Sequence, residues 1–153
     1  KAKDIGIDGL LIVDLPPEAD GELCIPSKDF GIDFIRLATP TTTKERLPII
    51  LNNSSGFLYY VSVAGITGSK APKINEIKGK ISFIKKNTEL PVVVGFGIRT
   101  PEQVKNIASI SDGVVVGSAI VDQIEEGVKK EYDSDFLVEN TIKFVKNLSH
   151  VLK

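Results

Sequence analysis

Three glycine-centred turns are the segments of this sequence best suited to chemistry: Gly65-Ile66-Thr67-Gly68, Gly95-Phe96-Gly97 and Gly117-Ser118-Ala119-Ile120. Each follows an apolar, β-branched run, and the last leads into a segment with helical spacing. Glycine lets the backbone approach a ligand closely, and free N–H groups at the positive end of a helix attract an anion. Any one such turn serves equally well as a tight connection. Repeated at successive run ends, they favour a phosphate held by Gly68, Gly97, Gly117 and Ser118. Tyr59 stands in another apolar run, where alternation puts Phe57, Tyr59 and Val61 on one face and Leu58 and Tyr60 on the other. Its hydroxyl could hold a substrate, and core packing explains it as readily. Asp14 follows an apolar run and precedes Pro16-Pro17, a place for a catalytic carboxylate, although capping or fixing the turn is the better account. His150 reads as a surface side chain. No cluster of histidine and cysteine offers a metal site, and Gly95-Phe96-Gly97 lacks the third glycine of a dinucleotide fingerprint.

The elements that must position these residues alternate regularly. Apolar runs at Leu10 to Val13, Phe34 to Leu37, Phe57 to Val61, Val92 to Val94 and Val114 to Val116 are five candidate strands. Helical spacing is clearest where Ile74, Ile77, Ile81 and Ile84 share one face. Shorter helices are expected at Thr43 to Asn53, Pro101 to Ala108, Ala119 to Glu126 and Phe136 to Leu152. Segment 18 to 30 is a poorer helix because Gly21 and Pro26 fall inside it. Strand alternating with helix predicts an α/β fold of parallel strands and right-handed crossovers. The Asp, Thr, Gly and Ser residues gathered after each strand favour a partial (β/α)8 barrel, whose active site forms at that end of the strands.

At 153 residues the chain makes one domain, 1–153, and is well short of the roughly 250 residues of a complete barrel. Lys1 to Gly6 reads as the last turn of a helix closed by glycine, so the N-terminal half of the barrel is expected to be absent. The net charge of −1 gives no reason to expect nucleic acid as a partner. With a single cysteine, Cys24, there is no intrachain disulfide, and no apolar run approaches the length of a membrane span. A soluble, cytoplasmic protein is the default expectation.

Four motifs in one register, Leu10-Leu11-Ile12-Val13-Asp14-Leu15-Pro16-Pro17, Tyr59 to Gly68, Pro91 to Gln103 and Asp112 to Val121, resemble the alpha subunit of tryptophan synthase. The resemblance runs from the end of the third helix through strands four to eight. It implies a lyase of tryptophan biosynthesis that cleaves indole-3-glycerol phosphate to indole and glyceraldehyde 3-phosphate, without a cofactor of its own. Its partner would be a beta subunit that carries pyridoxal phosphate, in an alpha2-beta2 complex. The resemblance also implies roles residue by residue. Gly68, Gly97, Gly117 and Ser118 would hold the substrate phosphate. Phe96 would pack on the indole ring, with Leu11 and Leu37 in the same pocket. Tyr59 would sit beside the glycerol, and Thr67 would orient the catalytic aspartate when residues Ala64 to Pro72 close as a lid.

That family's catalytic glutamate and aspartate lie upstream of every motif present, so these 153 residues alone are expected to be inactive. Arg99 stands where the family commonly has a small serine. Two other readings share the phosphate turns: another phosphate-binding barrel, such as indole-3-glycerol phosphate synthase or phosphoribosylanthranilate isomerase, and a half barrel that binds a sugar phosphate without chemistry.

Overall fold

The computed structural model describes residues 1–62, 74–95 and 97–152. Among these residues five strands form one sheet in sequential order: β1 (Gly9–Leu11), β2 (Asp33–Ala38), β3 (Leu58–Val61), β4 (Val92–Gly95) and β5 (Gly113–Val115). All four neighbouring pairs are parallel, as the strand-helix alternation predicts. The register aligns Arg36, Leu58 and Val92 in one row, Leu37, Tyr59, Val93 and Gly113 in the next, and Ala38, Tyr60, Val94 and Val114 in a third.

That alternation divides the sheet into two unlike faces. Ala38, Leu58, Tyr60, Val92 and Val94 are buried against the helices α2 (Arg46–Leu51), α3 (Ile74–Lys85), α4 (Pro101–Ala108) and α6 (Ser134–Ser149). α3 contributes Ile77, Ile81 and Ile84, the stripe expected from its spacing, and Ile74 at its start is partly exposed. Truncating any of the three buried isoleucines to alanine would cost about 2–5 kcal/mol. The opposite face carries Leu11, Ile35, Leu37, Tyr59, Val61, Val93 and Val115, and of these Ile35 alone is buried. Among the described residues, β1 and β5 each pair with one neighbour. Large apolar side chains lie exposed beyond both edges, including Ile5, Val13 and Phe30 near β1 and Val121, Val128 and Val138 on the helices after β5.

Local chemistry explains where the elements depart from simple periodicity. α2 is shorter than Thr43 to Asn53 because Thr43 Oγ1 accepts the Arg46 amide at 3.2 Å, and the helix starts there, with Pro48 in its first turn. In segment 18–30 a 3₁₀ turn (Pro17–Ala19) precedes α1 (Cys24–Asp29), which tolerates Pro26 at its third position because that amide needs no helical partner. α5 (Ser118–Lys129) runs beyond Glu126, with the ion pairs Lys129–Glu125 and Lys130–Glu126 on its last turn. α6 begins earlier than Phe136 because Asp133 Oδ1 accepts the Phe136 amide at 3.0 Å, and it passes into a 3₁₀ turn at His150–Leu152. β1 ends at Leu11, and Val13 beyond it is 70% exposed. The first residues form a 3₁₀ turn (Lys3–Ile5) closed by Gly6 at φ 85°.

One charged residue lies within the apolar, helix-facing side of β2. Arg36 is 4% exposed, pairs with Asp20, and donates from Nη1 to the Leu15 carbonyl. Its guanidinium lies 4.5 Å from the centre of the Phe34 ring. Asp20 also accepts from Asn53 Nδ2 at 2.7 Å. Burial pushes the Arg36 pKa down, and the network ties the loop after β1 to α1 and to the end of α2. At the opposite end of the sheet, Asp112 accepts the Val92 amide at 2.9 Å and the Lys85 ammonium at 2.5 Å.

Two outcomes follow from these charges. Asp20→Ala leaves Arg36 buried without its counter-charge and should destabilise the fold by about 3–5 kcal/mol in denaturant titration, whereas Asp20→Leu with Arg36→Met together should cost far less. A double variant as damaged as the single one would show that packing, not charge, dominates there. Lys85, then the Val92 amide, hold the Asp112 carboxyl below its usual value of 3.8. A lowered folded-state pKa gives stability that is complete above the unfolded value and is lost as pH falls through the folded one. Melting temperature should therefore drop less between pH 5 and pH 2 in Asp112→Asn than in the parent.

Candidate functional site

The C-terminal ends of the five parallel strands open on the same edge of the sheet, and the residues with chemical potential gather there. Leu11, Leu37 and Tyr59 all belong to the uncovered face, where Leu37 and Tyr59 are direct register partners. The two faces of β3 are as alternation requires: Leu58 and Tyr60 are buried toward the helices, and Tyr59 and Val61 lie half-buried on the other side. Desolvation pushes the Tyr59 phenol pKa up, and its hydroxyl has no hydrogen-bond partner among the described residues.

Tyr59 leans along the sheet toward Gly95, the last residue of β4. A side chain on Gly95 would overlap the Tyr59 hydroxyl and ring, so this glycine exists for close approach. Gly97 is glycine for a different reason, its φ of 76°. Gly117 has neither need. Its φ is −114°, and a Cβ built on it meets no atom of the described residues within 4 Å, so nothing among those residues requires the missing side chain. Gly117 is the N-cap of α5 and supplies no side-chain cap. Ser118 opens the helix exposed, with its hydroxyl unpartnered among the described residues. A 12-residue helix thus presents its positive end at the end of β5, with no atom of the described residues within 4 Å of a Cβ at its N-cap.

Gly97 and Gly117-Ser118 stand at the ends of adjacent strands, joined by a contact that the sequence did not reveal. Arg99 Nη2 donates to Asp122 Oδ2 at 2.5 Å, from the loop after β4 to α5. Ser62 was also missed: its hydroxyl donates to the Gly95 carbonyl at 2.9 Å and pins the end of β3 to the end of β4. Only three-dimensional register could find either. Thr67, Gly68, Phe96 and the segment Ala64 to Pro72 lie outside the described residues. Asp14 stays exposed and caps nothing: the 3₁₀ turn after it has Pro16 as N-cap without a side-chain bond. The expected capping role for Asp14 is therefore not met, because the chain enters that turn through proline. His150 is exposed, as expected. Ile12 to Pro17 line a shallow cavity of about 340 Å³ with Arg36, Leu37, Arg46 and Ile50. Within it Arg46 binds Glu18, whose carboxyl it holds down at about 2. Among the described residues no group of three or more His, Cys, Asp or Glu could hold a metal, and no helix is long and apolar enough to cross a membrane.

A sequence model of the family described as tryptophan synthase alpha chain matches residues 1–151. The chain belongs to that family. Solved structures agree. The alpha subunit of tryptophan synthase from Legionella pneumophila is 32% identical and superposes with a TM-score of 0.84 over 99% of this chain and 54% of its own. A tryptophan synthase complex from Pyrococcus furiosus is 34% identical, with a TM-score of 0.78 over 96% of this chain and 56% of its own. A tryptophan synthase from M. tuberculosis, solved in an aminoacrylate-bound form, is 28% identical, with a TM-score of 0.79 over 99% and 53%. The chain thus spans about half the length of the alpha chains it matches. Its five parallel strands, in sequential order among the described residues, are a partial barrel of the alpha-chain type.

The pairing of Tyr59 with Gly95 can be tested directly. Gly95→Ala should either displace Tyr59 or unfold the strand ends, at a cost of about 1–3 kcal/mol for overpacking. Adding Tyr59→Leu should recover most of that loss in thermal melts. A Gly95→Ala protein as stable as the parent would show that the tyrosine moves freely.

Proposed function

We propose that this chain supplies the phosphate and indole pockets of a tryptophan synthase alpha chain, a lyase that cleaves indole-3-glycerol phosphate to indole and glyceraldehyde 3-phosphate. The observation that carries the reading is Gly117. Its side chain is missing at a helix start where none of the described residues would touch one, which is what close approach of a phosphate needs. Gly97 adds a second strand-end turn, and Ser118 a hydroxyl donor. Gly68 belongs to the same reading, from outside the described residues.

The organic part of the substrate fits the uncovered sheet face. Leu11 and Leu37 offer an apolar wall for the indole, with Phe96 as its stacking partner, and Tyr59 brings its free hydroxyl toward the glycerol. Cleavage is a retro-aldol step. The bond between the indole ring and the glycerol carbon breaks, the ring carbon gains a proton, and a glycerol hydroxyl loses one as it becomes the aldehyde. Positioned acid and base groups contribute factors of roughly 10² to 10⁴ each to such a step.

In this reading residues 1–153 are strands four to eight of one barrel domain. Strands one to three would cover the open face, pair with the edges of β1 and β5, and bring the family's glutamate and aspartate, with Thr67 orienting the aspartate under the 64 to 72 lid. The partner is a beta subunit, where pyridoxal phosphate resides; the alpha chain needs no cofactor of its own, and its place is the cytoplasm. The relative from Pyrococcus furiosus described as a tryptophan synthase complex supports that partnership.

Calorimetric titration with indole-3-glycerol phosphate, with indole release measured in the same samples, tests the reading. Binding without turnover is the expected result for these 153 residues. Ser118→Ala should weaken affinity about threefold to tenfold, the loss of one hydrogen bond to a charged group in a wet site, and Gly117→Val should block binding. Full affinity in Gly117→Val would remove the phosphate site, and turnover without upstream residues would relocate the acid and base groups.

A further inference from the structure

Arg99 leaves the loop after β4 two residues beyond Gly97 and reaches across to Asp122, the fifth residue of α5. At a rise of about 1.5 Å per residue, that ion pair lies about 6 Å along the axis from the helix start at Ser118. The two side chains are 51% and 52% exposed, and neither has another charged partner among the described residues. A half-exposed pair of this kind is weakly held in water. The other described ion pairs of α5 lie at its C-terminal end, four residues apart, whereas this one joins the loop after β4 to the helix.

The charges around the helix start are unbalanced for an anion. Backbone N–H groups and the helix dipole supply about half a positive charge, while a phosphate monoester carries close to two negative ones. Asp122, within the same first turns, opposes the anion with its own carboxylate. Arg99 cancels that carboxylate when no ligand is bound. A phosphate is a stronger partner for guanidinium than a single carboxylate oxygen, because it offers more charge and a bidentate edge.

We propose that Arg99 is a further phosphate-binding residue, held in reserve by Asp122 and handed to the phosphate of a bound monoester. The inference rests on the phosphate reading of the Gly97 and Gly117-Ser118 turns. It makes an asymmetric claim about the pair. Removing Arg99 leaves Asp122 as uncompensated repulsion, and removing Asp122 frees Arg99 for the ligand. A pair that merely clasps the loop after β4 to α5 would be damaged alike by either change.

The experiment titrates the chain with inorganic phosphate and with glycerol 3-phosphate by calorimetry, at about 0.01 M ionic strength, where the screening length is about 30 Å. Arg99→Ala should raise Kd about threefold to tenfold and Asp122→Asn should lower it about twofold to fivefold, magnitudes expected of a charge-assisted contact that remains half exposed. The double variant should bind near the parent level, and circular dichroism melts should confirm that all three stay folded. Equal weakening by both single changes would overturn the proposal in favour of a clasp. Unchanged binding in Arg99→Ala, with binding abolished in Gly117→Val, would overturn it while leaving the phosphate site intact. Unchanged binding in Gly117→Val, or no phosphate binding by the parent, would overturn the site and the proposal together.

Discussion

Parallel strands cannot be joined by tight hairpins, so each connection must cross back over the sheet, and in this chain the crossovers carry helices whose apolar stripes settle on one side. That constraint organises the rest. Once Ala38, Leu58, Tyr60, Val92 and Val94 turn toward α2, α3, α4 and α6, the intervening residues must point to the opposite face. It also sends every strand's C-terminal end to one edge, because parallel strands share a direction. Glycine turns that are far apart in sequence become neighbours in space for no other reason.

The uncovered face is the second consequence. In a closed barrel such residues fill the interior in layers drawn from alternate strands. Here Leu11, Leu37, Tyr59, Val61, Val93 and Val115 have no opposing layer among the described residues, and both sheet edges keep unpaired backbone groups. A chain covering 54% of a related alpha subunit, yet superposing on it with a TM-score of 0.84, shows that this arrangement is the related fold carried by about half the related length. The buried Arg36–Asp20 pair is an expensive feature in that setting. Its position between the loop after β1 and the elements that bury it suits a role in holding that loop's path rather than in adding net stability.

Glycine carries three separate physical meanings at the strand ends. Gly95 yields space to Tyr59, Gly97 takes a left-handed backbone, and Gly117 leaves room that none of the described residues occupies. The sequence shows the same residue type at all three. Only the third leaves space free beside a helix start among the described residues, and it becomes visible when the first two can be subtracted.

The sequence by itself determined the fold class, the five strands, the isoleucine stripe of α3 and the family, because period-two and period-3.6 patterns are local and four motifs stood in one register. It also placed Tyr59 and Tyr60 on opposite faces, which follows from alternation alone. Helix ends were less legible, since Asp133 caps α6 and Thr43 Oγ1 accepts the Arg46 amide ahead of α2, through hydrogen bonds that compete with periodicity over a few residues. Which face was buried, and what each glycine was for, depended on register between strands 20 or more residues apart. The Arg36–Asp20, Ser62–Gly95 and Arg99–Asp122 contacts are of the same kind, joining residues 16, 33 and 23 positions apart. No local pattern encodes such pairs, because their partners meet only after the crossovers have set the strands side by side.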